Sequence, residues 1–594
     1  MTTKHSGSES GSLSLLPKLC GADIELGNFV LGLERPNGTG ELASRALLRE
    51  IHARYAQSDS LEPFHRSYNP QDWGRKFLSS NGGCAYIDLD HLELCIPEVI
   101  SAYDHVAAWH AMLRIARGAL QAANARLRDG LSIQVLVNNS DGRGNAYGSH
   151  LNFLVGRRAW DNLFERKVHH LLYLAAFQVS SIVFTGQGKV GAENGAPPVA
   201  FQLSQRADFF ETLTGTQTTF RRPIVNARDE PLCGRGRTIP TAGAPTAGAP
   251  TAGARLHCIF FDNTLCHVAS LLKVGVMQLI LTLLEAERVN SELMLDDPVD
   301  AVWRWSHDPT LRARARMVSG HRLTAVELQL LFLEQAQCFA AQGGYDGIVP
   351  RAGEILALWE DTLLKLKADD VSALASRLDW VLKFRILQRA LHKRSDLTWA
   401  SPEIKHLDHL YSSLDPAHGL YWAYEKLGVT EQVLPEARIE HFVHEPPEDT
   451  RAWTRAMLLR MGGEAVHDVD WDLIKFRQTG RGYWPVVRTL HLADPLGFTR
   501  AASQPVIEKA TSLGEILDTL QASEPDIDAT PTLYDHTSLR AWVRSPVATL
   551  RLGSAQASGN GGGSGWGRFS EHSEPDARDQ TRKTTTYPKG GERT

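Results

Sequence analysis

The segment Tyr86-Ile-Asp-Leu-Asp-His-Leu-Glu-Leu-Cys-Ile-Pro-Glu98 constrains the fold of this chain more than any other. It begins as an alternation of polar and apolar residues and places Asp88, Asp90, His91, Glu93 and Glu98 within eleven residues. A strand sends successive side chains to opposite faces, so the pattern predicts Asp88 and Asp90 on one face, with Glu93 just beyond the strand. Carboxylates crowded on one sheet face repel each other unless a cation or a proton sits among them. Such a cluster therefore reads as a Mg²⁺ or acid/base site. A solvated edge strand with ordinary surface charge is the competing reading. Asp88 weighs against it, because a carboxylate in an otherwise apolar strand needs a compensating partner.

At 594 residues the chain exceeds one core and divides into several units. Its 43% hydrophobic and 22% charged residues are ordinary for a globular protein. A formal net charge of −5 provides no general attraction to nucleic acid or to an anionic membrane. No apolar run approaches the roughly 20 residues of a bilayer span, and Met1 to Ser14 lacks the apolar core of a signal peptide. Seven cysteines without a CxxC pair argue against a disulfide framework and a structural zinc site. These features predict a cytoplasmic protein with neither nucleic-acid nor membrane partners.

Residues 1–17 read as a disordered leader. Leu19 to Leu33 alternates like a strand pair, and Glu41 to Tyr55 has helical spacing. Residues 56–80 are polar and turn-rich, hence a loop. Ser101 to Arg128 predicts a long helix, followed by a strand over Leu131–Val137. That strand runs into the Gly-rich polar segment Asn138–His150 and then the apolar Leu151–Val155, the way a sheet presents a ligand loop. The PTAGA repeat within 238–254 predicts a flexible connector. A short strand over His257–Phe261 and an apolar helix over Ala269–Glu287 follow, with mostly helix to about residue 440. Residues 504–594 read as a low-complexity, largely disordered tail. Its Trp566 and Phe569 read as part of an inert tail, with a docking motif as the alternative.

Several polar segments interrupt the hydrophobic pattern, among them Gly21–Gly27, Ser204–Asp208 and Arg222–Pro231. Arg206 and Arg228, expected on strands, suit phosphate oxygens because a guanidinium offers a planar fork of donors. Acids with arginines, asparagine and histidine are the inventory for holding Mg²⁺ and a nucleotide. No GxxxxGK[ST] and no GxGxxG after a strand occurs, which argues against P-loop and Rossmann sites.

The longer motifs are NNSDGRGNAYGSHLNFLV (138–155), FQLSQRADFFETLTGTQTTFRRPIVNARDEP (201–231), SHDPTLRARARMVSG (306–320), SRLDWVLKFRIL (376–387) and EHFVHEPPEDTRAWTRAMLLR (440–460). In these the chain resembles the Dop/PafA family, the deamidase/depupylases and ligases of the prokaryotic ubiquitin-like protein Pup, from about Leu19 to Ala502. ADFFET, the DG of NNSDG and the PEV after the acidic strand resemble the deamidase/depupylase branch. The resemblance implies an α+β fold of the glutamine-synthetase-like carboxylate-amine ligase group. That fold is a curved antiparallel sheet backed by helices, here expected over 18–430, with a smaller C-terminal domain over 431–503. It further implies ATP and Mg²⁺ as cofactors, and Pup or pupylated proteins, with proteasome pathway components, as partners. Asp88 matches the family's essential aspartate. Asp23 and Glu25 fall where the family holds metal, and Glu93 and His150 match further metal-site positions. Arg206 and Arg228 match nucleotide-side arginines, with Asn138, Asn139 and Ser204 completing the nucleotide set. Glu98 and His91 are additional candidates.

The chain also departs from the pattern. Asp23 replaces a glutamate, Leu151 replaces the glutamate of H-E-N, and Leu232 and Gly234 replace a histidine and an aspartate. The usual V-G-D-x-N reads Phe260-Phe-Asp-Asn-Thr264. Three readings follow: a hydrolase of Pup amide and isopeptide bonds, an ATP-dependent carboxylate-amine ligase, or a pseudoenzyme that binds Pup or a partner. Blander readings accompany single residues. His91 serves equally as a surface turn residue, and Cys95 as a small apolar filler. Glu98 could favour a helix N-terminus. Tyr147 and Asn152 could shape the loop, and Trp380 and Phe384 read as core packing.

Overall fold

Alternating strands organise the molecule around one antiparallel sheet. The computed structural model describes residues 15–33, 39–56, 74–230, 238–239, 251–478 and 486–522. The sequence expectations for residues 1–14, 57–73 and 240–250, for Leu232 and Gly234, and for 523–594 lie outside these described residues. The sheet contains β1 (Cys20–Leu31), β2 (Lys76–Phe77), β3 (Cys84–Asp88), β4 (His91–Cys95), β5 (Ser132–Leu136) and β6 (Ser149–Gly156). The Thr251–Cys258 strand and a two-residue strand at Thr238–Ile239 complete its eight strands. From one edge the order is Thr238–Ile239, Thr251–Cys258, β6, β1, β4, β3, β2, with β5 also pairing with β1.

Each strand turns its apolar alternation to the same side. Ala22, Ile24, Leu26, Ile87, Leu92, Leu94, Leu151 and Phe153 are buried in one cluster. Against them pack α1 (Gly40–Tyr55), α2 (Ala102–Asn124) and the long apolar helix His267–Glu285. Each such Ile, Leu or Phe side chain contributes about 1.5–3 kcal/mol of burial. The His267–Glu285 helix has the length and hydropathy of a bilayer span, contrary to the expectation that no run approaches one. All of it is buried within the protein, where an all-round apolar helix fits the centre of a large core.

Four expected elements change. Leu19–Leu33 is one long strand rather than a pair. The acidic segment is a hairpin, not one strand, because Leu89 and Asp90 take left-handed backbone conformations at φ 44° and 71°. Asp90 therefore sits in the turn, while Glu93 returns on β4 directly opposite Tyr86. The end of the repeat, Thr251–Ala254, is strand, paired through Gly253 with Gly156. Finally, the expected disordered stretch from residue 504 is helical to Ala522, in the helices Arg500–Lys509 and Leu513–Ala522.

That last helix belongs to a smaller unit built on the three-stranded sheet Val466–Asp470, Leu473–Gln478 and Val486–His491. Ile516, Leu517 and Leu520 join Leu458, Trp471, Ile474 and Phe476 in its core, which also takes in Phe77 and Cys84 from the large sheet. The Glu436–His444 helix, by contrast, packs into the main core through Ile439, Phe442 and Val443. The small unit thus begins later than residue 431, with the Ala452–Gly462 helix that carries Leu458 and Leu459.

Candidate functional site

The side of the sheet away from the helices carries the polar residues. Register places Asp23 opposite both Cys95 and His150, and Glu25 opposite Glu93, which is itself opposite Tyr86. Residues directly opposite in neighbouring strands share a face, so Tyr86, Asp88, Glu93, Cys95, Asp23 and Glu25 meet on one side. His150 and Asn152 of β6 and Arg255 and His257 of the next strand continue that side. A cleft of about 240 Å³ lies over it, reaching Asp88 at the hairpin and Trp471 of the small unit.

Charge of both signs is concentrated here, the acids facing a cleft that Arg75, Arg228 and Arg255 also line. Tyr86 donates to Glu93 Oε1 at 2.6 Å, while Glu93 Oε2 is buried without a partner. Burial, then the neighbouring Glu25 and Asp23, pushes the Glu93 carboxyl well above the usual range. Gly148 N–H donates to Glu25 at 2.8 Å, and His150 Nε2 lies 3.5 Å from Glu25. Burial, then His257 and Arg206, holds His150 well below its ordinary pKa. Its contact with Glu25 is therefore that of a neutral imidazole and not an ion pair. Neutral imidazole is the form that ligates metals. Ligand atoms of Glu25, Glu93 and His150 lie within 4.8 Å of one another. An orphaned carboxylate oxygen beside a second acid and a neutral histidine suits a divalent cation, so these residues fit the Mg²⁺ that the resemblance implies.

Asp88 stands at the end of β3, half-buried, at the mouth of this cluster. Burial, then Glu25, raises its pKa, while His91 and Arg75 act the other way. His91 pairs with Asp88 across the hairpin, its Nδ1 2.9 Å from the Leu26 carbonyl and its ring against Tyr147. It is thus a partly buried member of the polar face rather than a surface turn residue.

Arg206 is the second unsatisfied group. Its side chain is wholly buried and none of its three guanidinium nitrogens has a partner. Burial and the nearby Arg222 disfavour its charge, with Glu25 and Asp262 offsetting part of that. A buried guanidinium without a partner suits an anion such as phosphate. Neither arginine of the expected pair is on a strand: Arg206 precedes a short 3₁₀ turn, and Arg228 follows the strand Arg222–Asn226. Arg228 lines the cleft, with its guanidinium 3.5 Å from Glu230.

Three expected nucleotide residues use their hydrogen bonds within the scaffold. Asn138 Oδ1 accepts from Tyr147 and its amide donates to the Ser140 carbonyl. Asn139 links Gln205, Tyr147 and Asn263. Ser204 donates to Asp262 at 2.9 Å. They shape the loop and the turn before Arg206 rather than facing the acidic cluster.

Glu98 corrects two expectations. It caps no helix and offers no free oxygen to a cation. Its carboxylate is bound by Arg451 Nε at 2.8 Å and Arg455 Nη2 at 2.5 Å, fastening the small unit to the sheet. Leu151 corrects a third. It alternates with His150 and Asn152, is wholly buried, and belongs to the helix-side core. Its position was expected to mark a lost metal ligand, yet it does not face the cluster. Cys95, expected as a filler, is buried but lines the cleft with Asp23 and Glu93.

Arg255, His257, Arg222 and Tyr86 escaped the sequence reading. Arg255 Nη1 and His257 Nδ1 both lie 2.8 Å from Asn152 Oδ1, and Asn152 donates to Asp23 at 3.2 Å. The i, i+2 spacing of Arg255 and His257 signals one face of a strand, but the repeat concealed where that strand starts.

The chain matches the family model described as Pup-ligase protein over residues 39–475. It is 36% identical over 443 residues to a depupylase of Acidothermus cellulolyticus, covering 75% of this chain and 83% of that relative. A Pup deamidase/depupylase of Mycolicibacterium smegmatis is 32% identical over 443 residues, again covering 75% and 83%. Among solved structures, the complex between Pup and its ligase PafA aligns with a TM-score of 0.68 at 21% identity. That alignment covers 89% of this chain and 98% of the solved one.

Proposed function

The chain belongs to the Pup-ligase protein family, and within it we propose that it hydrolyses the C-terminal amide of Pup and Pup–lysine isopeptide bonds. The carrying observation is Asp88, a half-buried carboxylate of raised pKa at the mouth of a cleft whose floor holds Glu93 with an unpartnered oxygen. The relatives named depupylase and Pup deamidase/depupylase support the hydrolytic direction. With Leu151 in the helix-side core, the argument for a pseudoenzyme from that position falls away.

Hydrolysis of an amide needs a base for water and positive charge near the developing oxyanion. Asp88 takes the proton of the attacking water, and its raised pKa makes it a stronger base than an exposed aspartate. The proton then passes to the departing amine. Glu25, Glu93 and His150 would hold Mg²⁺, whose charge, when bound, would neutralise the crowded acids and polarise the carbonyl under attack. Tyr86 orients Glu93 so that its free oxygen faces the cluster. Arg206 would bind a phosphate of ATP, which in this reading is a resident cofactor rather than a stoichiometric fuel.

The test is release of a reporter amine from the C-terminal glutamine of Pup, with ATP and Mg²⁺ present. Release that requires nucleotide and disappears in Asp88→Asn supports the reading. An acyl-phosphate of Pup trapped by hydroxylamine, without release, would replace it with the ligase reaction.

A further inference from the structure

We propose that Lys273 is a positioning residue: it fixes the Asp262–Asn263 turn, and that turn ties the segment carrying Arg206 to the strand carrying Glu25. The inference rests on the reading of Arg206 as the phosphate-binding group and deepens it.

Between its ends the apolar His267–Glu285 helix carries one charged residue, Lys273, which is 1% exposed. Among the described residues its nitrogen donates only to neutral oxygens, the Asp262 carbonyl at 3.0 Å and Ser149 Oγ at 3.4 Å. It also lies 4.6 Å from the ring centroid of Trp109 on α2, whose indole N–H donates to the Thr264 carbonyl at 3.0 Å. A cation buried without a carboxylate partner costs stability, and core packing alone would be served as well by an apolar side chain of similar volume. Burial pulls its pKa down to about 7, with Asp379 and Asp262 raising it in part. Ammonium and amine both keep a proton for the Asp262 carbonyl, so the bond persists in either form.

The turn that Lys273 holds faces two ways. The Asp262 carboxylate accepts from the Gln187 N–H at 2.9 Å, the Gln205 N–H at 2.8 Å and Ser204 Oγ at 2.9 Å. Ser204 Oγ in turn accepts from the Arg206 N–H at 3.1 Å, so the backbone behind the unpartnered guanidinium is fastened to Asp262. Asn263 faces the other half, its side-chain amide donating to the Glu25 carbonyl at 3.3 Å and the Asn138 carbonyl at 3.0 Å. One two-residue turn therefore links the anion-binding group to the strand of a cation ligand. Lys273 reaches it from the helix side of the sheet, where it touches neither ligand. A side chain that only filled the core could be exchanged for methionine without effect on the site. A side chain that positions the turn could not, because a thioether has no proton to donate.

Lys273→Met in the full-length protein tests the assignment. Hydrogen–deuterium exchange without ligand reads the turn itself. Peptides covering Gln187, 204–206 and 262–264 should exchange faster than in the wild type, while the Val466–Asp470 strand of the small unit keeps its rate. Titration with Mg²⁺–ATP reads the consequence, an affinity lowered by about 10–100-fold, the usual range for losing a group that orients a ligand. Reporter release should then need more ATP for half-maximal rate, with the maximal rate little changed. Unchanged exchange at these peptides, unchanged ATP affinity, or a lower maximal rate at an unchanged ATP requirement would overturn the proposal, the last because it marks general loosening. If Lys273→Met does not fold, the wild type decides. Mg²⁺–ATP must slow exchange at 262–264 together with 204–206, and absence of protection at 262–264 overturns the proposal. A wild type that binds no ATP removes the phosphate reading of Arg206, and exchange in folded Lys273→Met still decides whether Lys273 holds the turn. ATP binding without release removes the hydrolase reading and leaves Lys273 to be judged on affinity and exchange.

Discussion

Tyr86 and Glu93 face each other across the β3–β4 ladder, and the phenol holds one carboxylate oxygen at 2.6 Å while the other has no protein partner. The phenol thus fixes which oxygen is presented to the cluster. Such supporting hydrogen bonds typically contribute about 10–100-fold to metal affinity or activity. Tyr86→Phe should lose turnover within that range and need more Mg²⁺ for half-maximal rate. Measuring rate against Mg²⁺ concentration checks this; an unchanged Mg²⁺ requirement would remove Tyr86 from the cation site.

Arg206 should act oppositely on stability and on binding. Its guanidinium is buried without a partner, a cost to the folded chain of about 1–3 kcal/mol. Arg206→Met should therefore melt at the same or a higher temperature without ligand. The same variant should lose most of the stabilisation that ATP confers on the wild type. Thermal melts with and without ATP provide both readings.

Leu151 supplies a test of orientation. If the family's glutamate at this position served the cluster, Leu151→Glu should improve cation binding. In this fold the new carboxylate would enter the apolar helix-side core, beside Ala22 on the neighbouring strand. Placing an unpaired charge there costs several kcal/mol or forces the carboxyl to stay protonated. The expected outcome is a loss of at least about 3 kcal/mol in urea unfolding with no gain in Mg²⁺ affinity.

The Glu98 clamp predicts acid lability of the small unit. Burial alone would raise the Glu98 carboxyl, but Arg455 and Arg451 overcome it and hold it at about 2, below an ordinary value of 4.5. A depressed pKa adds stability that is complete above the unfolded value and is lost as pH falls through the folded one. The loss should therefore develop between about pH 4.5 and 2 and amount to roughly 3 kcal/mol. Glu98→Gln should lose about 3–5 kcal/mol at neutral pH, since two buried guanidinium groups lose their counterion. Its stability should also vary less between pH 5 and 3 than that of the wild type, which urea titrations at the two pH values would show.

The acids of Tyr86–Glu98, the Gly-rich loop and the helical periodicities were legible in the sequence because each depends on local alternation or spacing. Those features predicted an acidic strand face, a ligand loop and several helices, and the resemblance carried by the long motifs implied the sheet backed by helices. Other assignments depended on contacts between distant segments. Whether the acidic segment was one strand or a hairpin turned on two left-handed residues, Leu89 and Asp90, which carry no glycine signal. The small unit recruits Ile516, Leu517 and Leu520 because the sheet at 466–491 offers them an apolar surface, a partner that no local window contains. Glu98 looked like a site acid until Arg451 and Arg455, more than 350 residues away, bound it. Leu151 looked like a lost ligand until strand alternation in the folded sheet turned it to the opposite side from His150. Local chemistry is written in the order of residues, whereas the face a side chain occupies and the charge that neutralises it are set by strand register and packing, which exist only in the folded chain.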